Sequence, residues 1–308
     1  MKYVASYLHK FLHLTNDTNT FGKLGDITVK KICILMIMAI SLISCAPINQ
    51  QSDMNDDLIH ERLRAPQVDE QNKLYVLEGG SETDVREPHP VSNDQLQRKY
   101  PNVLFLHGSR DNNEVALTFD DGPDMRFTPL ILDVLNEHDI KATFFIMGSR
   151  AKEHDEIVRR IHDEGHAIGN HTYWHPNLPK EQLERLDWEI RETEQVIENI
   201  VGFKPKLFRS PYGALNEEMV ETLDDLGNKG IGWDVDSLDW KQLPTDVIAD
   251  NVLSNVSPGS IILMHDGGDW SMNLMGTVES LDKIITKLKE DHIKFVTVPE
   301  LLNLPEVK

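Results

Sequence analysis

From Asn102 onward the chain alternates between two hydrophobic periods, and this alternation limits its fold more than any other feature. "NVLFLHG", "EVALTF", "KATFFIMG" and "HAIGNH" show the short apolar runs of strands. Helical patterns separate them. "TPLILDVLNEHD" puts Leu130, Val134 and Leu135 at helical spacing, and "EIVRRIHDEG" reads as a helix closed by Gly165. "PKEQLERLDWEIRETEQVIENIVG" is a long amphipathic helix, with Leu183, Leu186, Ile190, Ile197 and Ile200 on one core-facing stripe. "PKLFRSP", "GNKGIGWDVD", "GSIILMHD" and "IKFVTV" add further strands, with helices between several of them. Strands and helices in this order imply a parallel sheet in one domain, and either a barrel or a doubly wound sheet fits. In both, functional residues gather at the C-terminal ends of strands.

One such end is chemically awkward. The strand through Val115, Leu117 and Phe119 runs into adjacent carboxylates, Asp120 and Asp121, and then a Gly122-Pro123 turn. Two like charges at the mouth of an apolar strand repel and lose solvation. A second strand end carries "HTYWHP", where His171 and His175 stand four apart, a recurrent metal-ligand spacing. The same spacing in "HDEGH" fits no zincin-type motif, so His162 is expected at the surface and His166 in a structural role. Two imidazoles and one carboxylate make a three-ligand site with an open position, as in catalytic zinc sites. One aspartate of the pair can then bind the metal while the other acts as general base, and the cation relieves their repulsion.

"TFDDGP", "HTYWHP", "RSPYG", "DSLDW" and "ILMHD" follow the order of the five motifs of the polysaccharide deacetylases, carbohydrate esterase family 4 or NodB homology domain, which the chain resembles from Glu114 to Leu304. The resemblance implies a distorted (β/α) barrel and metal-dependent removal of N-acetyl groups from amino-sugar polymers such as peptidoglycan or chitin. It makes Asp121, His171 and His175 the ligands of a divalent metal, zinc first, with cobalt, manganese or nickel as alternatives. Asp120 becomes the base, Arg209 its partner, and the Tyr212 N–H, on a turn shaped by Pro211, an oxyanion donor. An amine leaves only when protonated, so a general acid is needed; His265 is the candidate, with Asp239 fixing its tautomer. Trp240 and Leu263 are expected as apolar walls, Asp236 as support, and Trp270 with Met272 as a variable groove wall.

The N-terminal part is organised differently. Lys30 and Lys31 precede an apolar run, Ile32–Ile43, too short to span a bilayer but suited to a signal peptide. "LISC" resembles a bacterial lipobox, so lipidation is expected at Cys45, with the mature protein exported, membrane-anchored and facing the wall or periplasm. Residues 1–28 resemble no export signal, which suggests initiation near Val29. Residues 1–45 thus read as upstream extension and signal, 46–105 as a polar tether with one added strand in "KLYVLEGG", and 106–308 as the catalytic domain. Both cysteines, Cys33 and Cys45, fall in the signal segment, which excludes thiol nucleophiles and disulfides from the exported domain.

A net charge of -20 argues against nucleic acid as a partner. The expected partners are a wall or chitin-like glycan and the membrane, with no obligate protein partner evident. Two other functions use the same residues: an esterase acting on O-acetylated polysaccharide such as xylan, and a non-catalytic glycan-binding lipoprotein. The second should have lost a metal or proton-transfer group, and none is missing.

Overall fold

The computed structural model describes residues 75–86 and 92–308, all within one compact unit, Ala65–Lys308. The signal segment with Cys33 and Cys45, and most of the tether, lie outside the described residues. Among the described residues nine strands form one sheet: β1 Leu104–Phe105, β2 Glu114–Gly122, β3 Thr143–Ile146, β4 Ala167–Asn170, β5 Leu207–Phe208, β6 Lys229–Ile231, β7 Val235–Asp236, β8 Ile261–His265 and β9 Lys294–Phe295. Their order is β1-β6-β5-β4-β3-β2-β8-β7, every ladder between them is parallel, and β9 pairs with the start of β2. The expected distorted barrel is therefore present. "GNKGIGWDVD" yields two strands, β6 inside the edge strand β1 and β7 at the opposite edge, and among the described residues no ladder joins β7 to β6 or β1.

The helices are α1 Glu82–Val85, α2 Asn93–Lys99, α3 Thr128–Glu137, α4 Gly148–Glu153, α5 Asp155–Asp163, α6 Leu183–Val201, α7 Glu217–Asp225, α8 Thr245–Leu253, α9 Met275–Glu290 and α10 Val298–Leu302. Their starts follow local chemistry. Ser92 and Asn216 accept backbone N–H bonds at the heads of α2 and α7, and Thr297 with Glu300 forms a capping box on α10. Gly165, at φ 81, closes α5 as expected.

Packing corrects two helix faces. In α3 the buried residues are Thr128, Ile131, Leu132 and Leu135, while Leu130 and Val134 are half-buried. A continuous Leu-Ile-Leu run offers several phases at once, so periodicity alone leaves the helix's rotation open. In α6, Leu186, Ile190 and Ile197 face the core, but Leu183, in the first turn, is exposed and Ile200, in the last, is half-buried. Inside the barrel, Ala116, Phe145, Leu207, Ile231, Ile261 and Val298 pack together. A second cluster lies under α6 and α7 and takes in Leu96 and Leu104. The last part of the segment read as tether therefore belongs to the core. Tyr75–Gly80, within "KLYVLEGG", forms no strand; it turns across the C-terminal mouth of the sheet instead.

Candidate active site

The awkward pair at the end of β2 is resolved by the backbone. Asp120 pairs with Phe145 and Gly122 with Ile146, so Asp121 is an extra residue in a bulge, at φ 71. A bulge re-aims side chains that would otherwise alternate, and the two carboxylates turn toward one site. On the other flank Asp120 is in register with His265 of β8.

Beyond β4 the loop His171–His175 meets this pair. His171 Nε2 lies 3.2 Å and His175 Nε2 3.1 Å from Asp121 Oδ1. His171 Nδ1 donates to the Arg209 carbonyl at 2.9 Å, which leaves Nε2 free to ligate. All three residues are buried, and Asp121 Oδ1 and His175 Nε2 make no hydrogen bond. Burial would raise the Asp121 carboxyl, but His175 and His171 hold it well below the usual carboxylate range. Burial would likewise lower the His171 imidazole, which Asp120 and Asp121 raise instead. Buried nitrogen and oxygen donors left unbonded around one point are what a divalent cation would satisfy, and this donor set suits zinc.

The loop holds strained backbone: Thr172 at φ 68 and His175 at φ 58 are left-handed, as are Asp121 and Tyr212. Each such position costs about 1–3 kcal/mol and persists only where its surroundings enforce it. Asn170 Oδ1 accepts from Thr172 N at 2.8 Å, and Thr172 Oγ1 from His175 N at 3.0 Å. Glu189 on α6 accepts from the amides of Tyr173 and Trp174. These supports were not expected from the sequence. Glu189 carried a signal, since a charged residue stands in the buried phase three positions after Leu186.

Arg209, just past β5, reaches Asp120 Oδ1 with Nη1 at 2.7 Å. Pro211–Gly213 form a 3₁₀ turn in which Tyr212 takes φ 60 and ψ 7. Opposite, His265 Nδ1 donates to Asp239 Oδ1 at 2.7 Å, and Asp239 Oδ2 accepts from the His265 amide and Thr277 Oγ1. Burial would push the His265 imidazole down, but Asp239 foremost, then Asp121 and Glu82, raise it to about 10. Leu263 and Trp240 are buried nearby, and Asp236 accepts from Trp240 Nε1 and pairs with Arg86. Trp270 is half-buried, its ring packed on Tyr75 at 4.7 Å and under the Arg126 guanidinium, while the Met272 carbonyl accepts from Arg126. His162 is exposed, and His166 is buried, accepting from Ala142 N, with burial pushing it down to about 4.

Sequence reasoning also missed two acids. Asp266 is buried against Thr128, which donates to it at 2.6 Å, and burial raises its carboxyl to about 7. Glu82, from the segment read as tether, is 5% exposed and shares a cluster of potential ligand atoms with Asp121 and His265, all within 4.8 Å of one another. Nothing in "GGSETDVREP" marks it, because its place depends on where a polar segment docks.

Residues 107–231 match the family model for polysaccharide deacetylase. The chain is 46% identical over 196 residues to a peptidoglycan-N-acetylglucosamine deacetylase of Bacillus cereus, covering 63% of this chain and 70% of that protein. It is 38% identical over 193 residues to a peptidoglycan-N-acetylglucosamine deacetylase of Listeria monocytogenes, covering 63% of this chain but only 40% of that one. A crystal structure of a peptidoglycan N-acetylglucosamine deacetylase bound to 4-naphthalen-1-yl-N-oxidanyl-benzamide superposes with a TM-score of 0.67 at 41% identity, covering 69% of this chain and 99% of the other.

Proposed function

The chain belongs to the polysaccharide deacetylase family, and from that premise we propose that it removes N-acetyl groups from the N-acetylglucosamine units of peptidoglycan. One observation supports this best. The Asp120–Arg209 and His265–Asp239 pairs, both buried, end on adjacent strands beside the Asp121, His171 and His175 donors. That is a base and an acid on either side of one electrophilic site.

In this reading Asp121, His171 and His175 hold a divalent cation, zinc by preference. Such a cation supplies Lewis acidity to an acetyl carbonyl and eases deprotonation of water. Asp120 takes a proton from water as the water oxygen bonds to the acetyl carbon. Arg209 keeps the Asp120 carboxylate aimed. The Tyr212 N–H, set by the Pro211 turn, donates to the developing oxyanion, a contact worth roughly 3–4 kcal/mol. Protonated His265 then gives its proton to the nitrogen as the C–N bond breaks, releasing the free amine and acetate. Asp239 holds the imidazole with Nε2 toward the leaving group, and Trp240 and Leu263 close around the methyl group and sugar ring.

The test is acetate release by the full chain from peptidoglycan and N-acetylglucosamine oligomers, abolished by chelator and restored by zinc or cobalt. Release from acetylated xylan alone would replace the amidase reading with an O-acetyl esterase. No release from any substrate would leave a glycan-binding protein.

We propose further that the mature protein is anchored through lipid on Cys45 and faces the wall, on the basic-apolar run before "LISC". Two acyl signals suffice for stable anchoring. Mass spectrometry of the mature N-terminus should find acylated Cys45; a soluble protein beginning elsewhere refutes it.

A further inference from the structure

An enzyme for a polymer must admit that polymer, yet Asp120, Asp121, His171, His175 and His265 are each 3% exposed or less. Residues 75–86 lie against them. Glu78 N and Gly79 N donate to the carbonyls of Trp174 and His175, which ties the segment to the metal-ligand loop. Tyr212 Oη donates to the Gly80 carbonyl at 2.7 Å. Arg86 pairs with Asp236 at 3.0 Å and lies 4.9 Å from the ring centres of both Trp233 and Trp240. The segment thus rests on Tyr212 and Trp240, two residues assigned to the substrate side, and on Asp236, which supports them. Gly79 permits the approach, because a Cβ there would collide with the Tyr212 ring and hydroxyl.

At its centre is Glu82. Its Oε1 lies 4.0 Å from His175 Nε2, and its carboxylate is within 4.8 Å of the Asp121 and His265 ligand atoms. Oε2 makes no hydrogen bond, and its ion-pair partner is Arg86 Nε at 3.5 Å. Two donors about 2.0–2.2 Å from one zinc ion stand about 3.4 Å apart in a tetrahedral site, so Glu82, 4.0 Å from His175 Nε2 and clustered with Asp121 and His265 rather than with His171, reaches that ion by a small side-chain movement. A carboxylate between the metal donors and the acid His265 stands where the scissile amide and the acetate product belong. Chemically it is a tethered acetate.

We propose that residues 75–86 are an intramolecular occupant of the catalytic cleft, with Glu82 a fourth, displaceable protein ligand to the cation held by Asp121, His171 and His175. The glycan enters by displacing this strap, and product acetate competes with Glu82 for the same position. The inference rests on the metal-site reading above.

The experiment uses the full chain loaded with Co²⁺, whose visible spectrum reports the ligand set. Chelator competition should show Glu82→Gln binding Co²⁺ about tenfold or more weakly. Added acetate should leave the parent spectrum unchanged and shift that of Glu82→Gln. Gly79→Val, which lifts the strap while keeping the carboxylate, should make the spectrum acetate-sensitive as well. Equal cobalt affinity together with equal acetate response in parent and Glu82→Gln overturns the proposal. None of these readouts involves turnover, so failure here is separate from failure of the deacetylase reading.

Discussion

Arg209 Nη1 lies 2.7 Å from Asp120 Oδ1 and 2.7 Å from Thr118 Oγ1, so one buried nitrogen binds both the Asp120 carboxylate and the strand that carries it. The rest of the guanidinium is committed too. Nε and Nη2 donate to the carbonyls of Ile231 and Gly232 at the barrel's opening, and the group lies 4.0 Å from the Phe145 ring centre. Lysine offers one compact charge in place of this fork. Arg209→Lys should therefore lower both turnover, by at least about tenfold, and the melting temperature. Arg209→Met, which strands the Asp120 carboxylate without its cation, should cost roughly 3–5 kcal/mol of stability. Steady-state kinetics with thermal melts decide it; a variant unchanged in both would show the pair to be idle.

The two aspartates of the bulge should separate cleanly. Asp120→Asn is expected to keep its metal and lose about 10²–10⁴ in turnover, since an amide accepts no proton from water. Asp121→Asn, His171→Ala and His175→Ala should each lose the metal, because each removes one of three donors. Metal content after dialysis, beside the rate, is the measurement. The pH dependence of binding follows from His171, whose imidazole Asp120 and Asp121 hold protonated to higher pH than usual. A cation must displace that proton, so affinity should rise with pH through the titration of His171.

Part of this site was legible because two of its residues break apolar runs: Asp120 follows Val115–Phe119, and His265 follows Ile261–Met264. A polar side chain at the end of a buried strand costs free energy unless it has a partner, and that cost is visible in one dimension. The bulge was not. "TFDDGP" looks the same whether its carboxylates converge or sit on a solvated turn, and only the pairing with β3 separates the cases. The rotation of α3 was hidden for the reason given above, an uninterrupted apolar run. Glu82 and the packing of Tyr75 against Trp270 depend on the docking of a segment whose composition is that of a tether, so no local pattern announces them.

Glu189 tests whether the metal loop is held from behind. Its Oε2 accepts from Tyr173 N at 2.5 Å and Trp174 N at 2.9 Å, and its Oε1 from Arg185 at 2.7 Å, in a fully buried position. Glu189→Ala leaves two amides without partners and frees a loop in which Thr172 and His175 carry left-handed backbone. Each unsatisfied group costs about 1–3 kcal/mol. The variant should melt several degrees lower and bind metal about 10-fold more weakly, although Glu189 touches no ligand atom of the site. Unchanged metal affinity in a destabilised protein would confine Glu189 to the fold.

The last prediction concerns the acid. His265 is raised to about 10 because Asp239, 2.7 Å away, outweighs the opposing effect of burial. A cation beside Asp121 offsets that residue's smaller share, so the loaded enzyme's value should lie below this one. The acid works only while protonated, so the rate should fall as pH rises through the His265 titration. Asp239→Asn removes the negative charge that favours the imidazolium, which lowers the pKa of His265 and moves the fall to lower pH. The carboxamide keeps the shape of the site, and its oxygen can still accept from the His265 ring, so the shift should appear beside any loss of maximal rate. The measurement is kcat/KM against pH for parent and Asp239→Asn on one soluble N-acetylglucosamine oligomer. A basic limb that stays in place would mean either that His265 is not the acid or that Asp239 does not set its charge.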